Sequence, residues 1–371
     1  MRPDPSRRGV ALLAVVATLA GACADSTGAD QIVEPSPTAV APAPSPAPST
    51  QPSPSPDNSD VATVTDHELG ALGVNELGRI PVIEWHKIQD ADGRWENSLA
   101  TFRAQLQELC DRNYRPISID EFIDATFDVP AGSSPVLLTF DDSYKEHFFF
   151  ADDGVTPHPD SAVGILQAME QTCGGWRARA SFAFYWPVPF RETDRALIER
   201  KLNYLVDNGF DLSNHTYNHD NLRDMTDAQV IESVGRHETE LAAVIGHDYR
   251  VRSITLTQGI WPVNADLALT GTYEGFTYHH EIAFEVGFMP TRSPHHLEYD
   301  PHSVQRVQAW VDEFDKWIAW LDENPTRRFV SDGDPTTVTY PADWADVAEP
   351  RPGLEVRTYP VSGSADEAAP S

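Results

Sequence analysis

From about residue 78 onward, short apolar runs alternate along the chain with stretches in which apolar residues recur at helical spacing. The short runs predict strands, and the longer stretches predict amphipathic helices. This alternation is typical of parallel strands joined by crossover helices, which is the α/β class. We predict strands over 80–85, 114–119, 135–140, 179–185, 253–257 and 282–288, and helices over 162–172, 192–206, 226–245 and 303–321. The number of strands favours a closed or distorted β/α barrel over an open sheet.

Polar residues with metal-binding chemistry follow two of these strands directly. The apolar run 135–140 reads as a strand buried on both faces and ends in Asp141 and Asp142. The run 210–213 leads into His215 and His219. Because the carboxyl ends of parallel strands form the active-site face of such folds, we expect the two groups to meet there.

Two adjacent carboxylates at a strand end point to different sides, so one can bind a metal while the other faces water or a substrate. Taken alone, the Asp141-Asp142 pair is equally typical of an acidic loop or a helix cap. Two imidazoles four residues apart lie on one face of a helical turn and can share an ion, although isolated pairs of this kind are common on surfaces. Two nitrogens and one carboxylate around zinc leave a position for water, which is the arrangement of a hydrolytic site.

The motifs Leu138-Thr-Phe-Asp-Asp142 and Asn214-His-Thr-Tyr-Asn-His219 resemble the first and second motifs of the polysaccharide deacetylase family, carbohydrate esterase family 4. The segment Ile80-Pro-Val-Ile-Glu-Trp-His86 resembles the opening strand of many members. The resemblance covers roughly residues 78–330. It implies a distorted β/α barrel of the polysaccharide deacetylase type.

The resemblance also implies residue roles. The metal ligands would be Asp142, His215 and His219, and the metal a divalent ion, Zn²⁺ above others. Asp141 would be the base that takes a proton from water as it attacks an N-acetyl or O-acetyl carbonyl. The arginine that partners this base in the family would be Arg306, with a helix-surface arginine as the alternative interpretation.

The third family motif is altered here to Leu256-Thr-Gln-Gly-Ile-Trp-Pro262. A backbone N–H in this turn would hold the oxyanion, and Gly259 would permit close approach. Trp261 is the associated substrate residue. The general acid of the family is a late histidine, for which His302 is our candidate, with His295 and His296 as alternatives.

Other residues near the predicted site have two interpretations. His86 either lies near the site or ends its strand, and we favour the strand end. Four aromatic residues either stack on sugar rings or pack in the interior: Tyr185, Trp186, Tyr217 and Trp261.

The first residues carry three arginines before an apolar run that ends at Gly21-Ala22-Cys23. This is the plan of a signal peptide over residues 1–22, and the small residues before Cys23 resemble a lipobox. Residues 23–60 would be a lipid-anchored, disordered Pro/Ser-rich stalk. We therefore expect an exported lipoprotein on the outer face of the cell membrane, with free secretion as the alternative.

The remaining composition bears on partners and boundaries. Asp and Glu total 57 against 27 Lys and Arg, a formal net charge of -30, and no basic patch suggests nucleic acid as a partner. Cys110 and Cys173 either pair as a disulfide or remain two buried thiols. The catalytic domain is predicted over 78–330, followed by a partly disordered extension over 331–371 that frays from Ser331 and holds one possible edge strand at 353–359.

These observations predict a metal-dependent hydrolase that deacetylates a cell-wall or extracellular polysaccharide. The alternative is a glycan-binding lipoprotein with the same fold and impaired catalysis. The sequence does not name the glycan.

Overall fold

The computed structural model describes residues 64–246 and 248–360. Its helices are α1 Asp66–Leu72, α2 Leu99–Asp111, α3 Ile119–Asp124, α4 Ala162–Met169, α5 Arg195–Asp207, α6 Asp227–Ile245, α7 Asp266–Leu269 and α8 Val311–Glu323. Its strands are β1 Arg79–Ile80, β2 Val82–Trp85, β3 Lys87–Gln89, β4 Glu96–Ser98, β5 Tyr114–Pro116, β6 Ser134–Phe140, β7 Ser181–Phe184, β8 Asp211–Asn214, β9 Ser253–Thr255, β10 Thr270–Tyr273, β11 Phe276–His279, β12 Ile282–Phe284, β13 Thr291–Arg292, β14 Val307–Gln308, β15 Val338–Pro341 and β16 Val356–Tyr359.

The central sheet is parallel and runs in the order β12-β9-β8-β7-β6-β2-β14, with β5 paired to β6. Just before β14, Val304 makes a parallel bridge to Phe284 of β12, so the segment 304–308 bridges the two ends of this order. This closure confirms the prediction of a distorted β/α barrel.

The local sequence explains why these elements form. All of β6 is buried, as a strand covered on both faces should be. Helix α6 begins after Thr226 with a capping box completed by Gln229, and α4 begins after Ser161, whose side chain accepts the Gly164 N–H. The largest apolar cluster lies between the strands and helices α2, α4, α5 and α8.

The predicted helix over 303–321 is wrong in its first half. Val307 pairs with Ile83 of β2 as part of a strand, and Trp310 is the residue that precedes α8. Helical spacing of apolar residues was present, but closing the barrel requires this segment to complete the sheet. Tertiary pairing therefore overrides local periodicity here.

Two further elements differ from the sequence prediction. Strand β12 ends at Phe284 instead of continuing to 288. The chain turns away because Gly287 passes directly over the backbone of Arg306, where a side chain would overlap. The antiparallel hairpin of β10 and β11 was not predicted.

The expectation that the chain frays from Ser331 is wrong for the residues up to 360. Strands β15 and β16 pair in parallel, and β16 lies within the edge strand expected at 353–359. Val338, Tyr340 and Trp344 are buried against Leu77. Tyr359 donates a hydrogen bond to the carbonyl of Val74, so the segment packs against the start of the described chain.

Cys110, in α2, and Cys173, after α4, form a disulfide, which decides between the two readings of these residues. The predicted signal peptide, Cys23 and the stalk over 23–60 lie outside the described residues, as does 361–371. Within the described chain, no helix has the length and apolar character needed to cross a membrane.

Candidate active site

Asp141 and Asp142 lie directly after β6 and diverge there. Asp141 still follows the strand, because its N–H donates to the carbonyl of Trp85 on β2 at 2.8 Å. Asp142 and Ser143 then adopt left-handed backbone conformations, with φ of 67° and 43°. Such conformations are rare away from glycine and are commonly found at functional sites. The turn separates the two carboxylates, as expected from their positions at a strand end.

His215 and His219 follow β8 in a tight turn instead of the helical turn assumed from their spacing. Thr216 and His219 both have positive φ, 61° and 57°. This backbone path brings the two imidazole rings to 5.0 Å between centroids. The predicted proximity is present, although the local geometry differs.

The structure brings Asp142, His215 and His219 together at the carboxyl edge of the sheet. Oδ1 of Asp142 lies 3.4 Å from Nε2 of His215 and 3.1 Å from Nε2 of His219. Ligands about 2.0–2.1 Å from a tetrahedral zinc ion stand about 3.3 Å apart, so these separations fit a shared cation. The three ligand atoms lie within 4.8 Å of one another.

The hydrogen bonds of His215 support the same conclusion. Its Nδ1 lies 2.7 Å from the carbonyl of Thr255, which can only accept, so Nδ1 carries a hydrogen. In the neutral ring Nε2 is then a bare acceptor facing a carboxylate oxygen, and the buried Asp142 Oδ1 has no hydrogen-bond partner among the described residues. Two acceptors this close require a cation or a proton between them, so the donor set fits a divalent metal.

The surroundings of Asp142 favour its ionised form. Burial acts to raise the pKa of Asp142, but the two histidines outweigh it and hold that pKa far below its usual range. The adjoining Asp142 carboxylate raises the pKa of His219. Asp142 is therefore a carboxylate at any ordinary pH.

Arg306 lies beneath Asp141 in the fully buried interior. Its Nη1 and Nη2 donate to the two oxygens of Asp141 at 2.8 Å each, and its Nε donates to the carbonyl of Glu285 at 2.8 Å. Burial acts to raise the pKa of Asp141, yet Arg306 outweighs it and the pKa is lowered. The arginine expected from the family pattern is thus placed against the proposed base.

Sequence reasoning missed two residues beside this pair. The ligand atoms of Glu84, His86 and Asp141 lie within 4.8 Å of one another, and Nε2 of His86 is 3.6 Å from Glu84. The interpretation of His86 as a mere strand end is therefore wrong. Glu84 and His86 flank Trp85, so the two-residue period of a strand places both on the face opposite to it, which is a signal the sequence did contain.

Glu84 is buried, and both its oxygens lack a hydrogen-bond partner within the described chain. Its nearest cation is Nη2 of Arg306 at 3.4 Å. Burial raises the pKa of Glu84 to about 8, which Asp141 reinforces and Arg306 opposes. Burial lowers the pKa of His86.

The structure does not place the Gly259 N–H in an oxyanion site, because that group donates to the carbonyl of Leu256. Gly259 has φ of 66° and packs against Val286, which accounts for the glycine. The indole of Trp261 donates to Glu285 at 3.0 Å. Trp261 therefore binds Glu285, the residue whose carbonyl accepts the Arg306 hydrogen bond, and not a residue of the triad.

His302 is not brought to the site. It is exposed, and its neighbour Pro301 accepts a hydrogen bond from Ala283 near the start of β12. Asp141 and the histidine pair lie at the opposite, carboxyl edge of the sheet. His302 precedes Arg306 by only four residues, but a strand rises about 3.3 Å per residue, which carries it away from the site.

Two tyrosines border the triad. The ring of Tyr185 lies 5.6 Å from that of His219. Burial, and after it the Asp142 carboxylate, raise the pKa of Tyr144 to about 12. Trp186, by contrast, is buried in the core, and its indole donates to the carbonyl of His237.

A closed parallel β/α barrel with one carboxylate and two imidazoles at its carboxyl edge has the donor set that a hydrolytic site with a divalent metal requires. The family profile of polysaccharide deacetylase matches residues 128–272, which include both motifs. In this region the chain is similar to polysaccharide deacetylases. No curated protein matches the chain.

Several solved structures are similar to the chain at low identity. Streptococcus pyogenes deacetylase PplD is 16% identical, with 62% of this chain and 92% of that chain covered and a TM-score of 0.46. The polysaccharide deacetylase BC0361 from Bacillus cereus is 18% identical, with 65% and 68% covered and a TM-score of 0.49. IcaB from Ammonifex degensii is 18% identical, with 66% and 97% covered and a TM-score of 0.46.

Proposed function

We propose that this protein is a metal-dependent deacetylase of an acetylated cell-wall or extracellular polysaccharide. The observation that carries the proposal is the pairing of two arrangements at one sheet edge. Asp142, His215 and His219 form a donor set for a divalent metal, with Zn²⁺ the favoured ion. Asp141 stands beside them as a separate, arginine-bound carboxylate. A site that only bound metal would not need Asp141.

The proposed division of labour follows from the geometry. The chemistry that a divalent cation supplies in such a site is polarisation of the acetyl carbonyl and activation of water. Asp141 accepts the proton from the attacking water, because Arg306 keeps it ionised and fixes both of its oxygens. Asp141 is itself shielded from bulk solvent, which strengthens its interactions with charge that develops nearby.

We assign the proton donor for the leaving group to His86 instead of His302. His86 lies beside Asp141, and its side chain keeps 16% of its surface accessible, so it can reach a bound substrate. The ring of Trp95 lies 4.8 Å from that of His86 and limits its orientation.

We also propose that the protein is exported and carries lipid on Cys23, with residues 23–60 as a stalk that holds the catalytic domain away from the outer face of the membrane. The support is the sequence pattern of residues 1–60. Such a placement would bring the site to extracellular glycans.

The test is acetate release from acetylated chitin oligomers, peptidoglycan and acetylated xylan by the purified chain, with bound metal quantified in the same sample. Asp141→Asn should keep its metal and lose activity by a factor of about 10²–10⁴, since only the base is removed. His215→Ala should lose metal. His86→Ala should lower activity with metal retained, and His302→Ala is the matched control that should change neither.

Metal at one equivalent without acetate from any polymer would overturn the enzyme assignment in favour of a glycan-binding protein. Full activity in Asp141→Asn would reject the assigned base. Full metal content in His215→Ala would reject the ligand set.

A further inference from the structure

A cleft of about 560 Å³ opens beside the tyrosines that border the triad. Its aromatic floor is formed by the partly exposed Phe149 and Phe150, and the buried Phe190 also lines it. Lys145, Arg191, Arg200 and Lys201 line the same cleft, against Glu192 as the acidic lining residue. The volume is within the range of about 300–1,000 Å³ typical of small-ligand sites.

Three of the four basic side chains that line this cleft lack an ion-pair partner in the described part of the chain. Lys145, Arg191 and Arg200 have no carboxylate oxygen within 4.0 Å among the residues that the structure describes. Glu192 does not neutralise these three side chains. Its Oε1 accepts the N–H groups of Thr193 and Asp194, and its Oε2 faces Lys201. The whole chain has a formal net charge of -30, whereas the side chains that line this cleft are mostly basic.

Lys201 adds a buried cation that points to a ligand. It is 2% exposed, and its ammonium has one acidic partner, Glu192, at a long 3.5 Å. The ammonium also lies 5.9 Å from the centre of the Phe190 ring. Burial lowers the pKa of Lys201, and Glu192 opposes this without cancelling it. A buried ammonium whose acidic partner lies at this long distance can take a further anionic partner.

Arg191 joins the cleft to the triad. Its guanidinium lies 4.5 Å from the ring centre of Tyr144 and 5.4 Å from that of Tyr185, and it donates a hydrogen bond to the Tyr185 hydroxyl. Tyr185 in turn packs on His219. Phe190 and Arg191 both have left-handed backbone, with φ of 56° and 53°. This backbone turn directs the Arg191 side chain toward Tyr144 and Tyr185.

We propose that this basic cleft binds an anionic group on the glycan next to the acetylated sugar, so that the substrate is an acidic polysaccharide bearing carboxylate or phosphate. The assignment rests on the proposed function for its place in catalysis. The aromatic floor takes the apolar face of the sugar ring, and the guanidinium and ammonium groups take its charge. A neutral acetylated glycan would bring no acidic group to Lys145, Arg191 and Arg200.

The experiment measures equilibrium binding by calorimetry, which needs no turnover. The probes are tri-galacturonate for carboxylate, mannose 6-phosphate for phosphate and neutral tri-N-acetylchitotriose. The variant Lys145→Gln/Arg200→Gln removes two exposed charges outside the triad, and Lys316→Gln, an exposed lysine on α8, is the matched control. Full-length protein is used throughout.

The wild-type chain should bind one of the charged probes about tenfold more tightly than the neutral one, with an affinity that falls as salt rises. The double variant should lose about tenfold for that probe alone. Lys316→Gln should match the wild type. Equal affinity for charged and neutral probes, or an unchanged affinity in the double variant, would overturn the proposal. Failure of the proposed function shows separately, as absence of acetate release.

Discussion

Arg306 is fully buried with two carboxylates for one guanidinium. It binds both oxygens of Asp141 and lies 3.4 Å from Glu84. Three ionised groups would leave an unpaired negative charge in the interior, which is costly. The raised pKa of Glu84 and the lowered pKa of Asp141 resolve this, because Glu84 holds a proton while Asp141 stays ionised.

A stability prediction follows for Glu84→Gln. The folded pKa of Glu84, about 8, lies above its ordinary value of 4.5, so the folded state binds the proton more tightly than the unfolded state. The wild type therefore loses stability as pH rises from 4.5 through 8, whereas a neutral glutamine does not. The melting temperature of the variant relative to the wild type should rise over this range and level off above it.

Between pH 5 and 9, the free energy of unfolding of the variant relative to that of the wild type should rise by on the order of 2 kcal/mol or more. Each tenfold change in proton affinity is worth about 1.4 kcal/mol. Melting curves from pH 5 to 9, with chelator present, provide the measurement. Glu323→Gln, at the exposed end of α8, is the control and should show no such trend. A difference independent of pH would mean that Glu84 is ionised in the folded protein.

Site residues were predictable where neighbouring residues in the sequence indicated their position in the fold. Asp141, Asp142 and the two histidines stand directly after strands, so their meeting at one edge follows from the parallel fold. Arg306 was found only through the family pattern, because nothing local distinguishes a buried arginine from an exposed one. His302 was a candidate only because the family pattern calls for a late histidine, and a family pattern does not say which edge of the sheet a given histidine reaches.

At the scale of elements, the histidine turn is held by helix α6. Asn214 donates to Glu238 at 2.8 Å and to the carbonyl of Val234, while its Oδ1 accepts the Thr216 N–H. Glu238 also lies 3.0 Å from Nε2 of His280. The buried network fixes a turn whose backbone is strained at Thr216 and at His219.

Asn214→Ala should therefore weaken metal binding without removing a ligand. Loss of the supporting hydrogen bonds should lower metal affinity about 10–100-fold, the usual effect of losing an outer-shell partner. Competition with a chelator measures it. Asn221→Ala, which removes the cap of a nearby short helical turn, is the matched control. Equal affinity in Asn214→Ala and the wild type would show that the sheet alone positions the histidines.

Elements were predictable when their own pattern agreed with their environment. The run 135–140 is apolar throughout and buried throughout, so prediction and structure agree on β6. In 303–321 the spacing was helical, yet β14 had to complete the sheet against β2. A single sequence shows whether a run is apolar throughout. It does not show that a segment must pair with a distant strand, because that pairing exists only once the other strands are in place.

At the scale of the whole molecule, the two aspartates of the candidate site lie within a covalent loop. The disulfide of Cys110 and Cys173 joins α2 to the segment after α4 across 63 residues. That loop contains β5 and β6, hence also Asp141 and Asp142. A cross-link of this span limits the unfolded chain, while the folded positions of the site residues are set by the sheet.

The double variant Cys110→Ala/Cys173→Ala should lower the free energy of unfolding by about 2–4 kcal/mol and leave metal affinity unchanged. Denaturant unfolding with metal removed measures the first quantity, and chelator competition measures the second. Reductant should destabilise the wild type by a similar amount and have no effect on the variant, which separates loss of the cross-link from loss of packing at Cys173. If metal affinity fell together with stability, the disulfide would be part of what positions Asp142, and the sheet would not suffice to build the site.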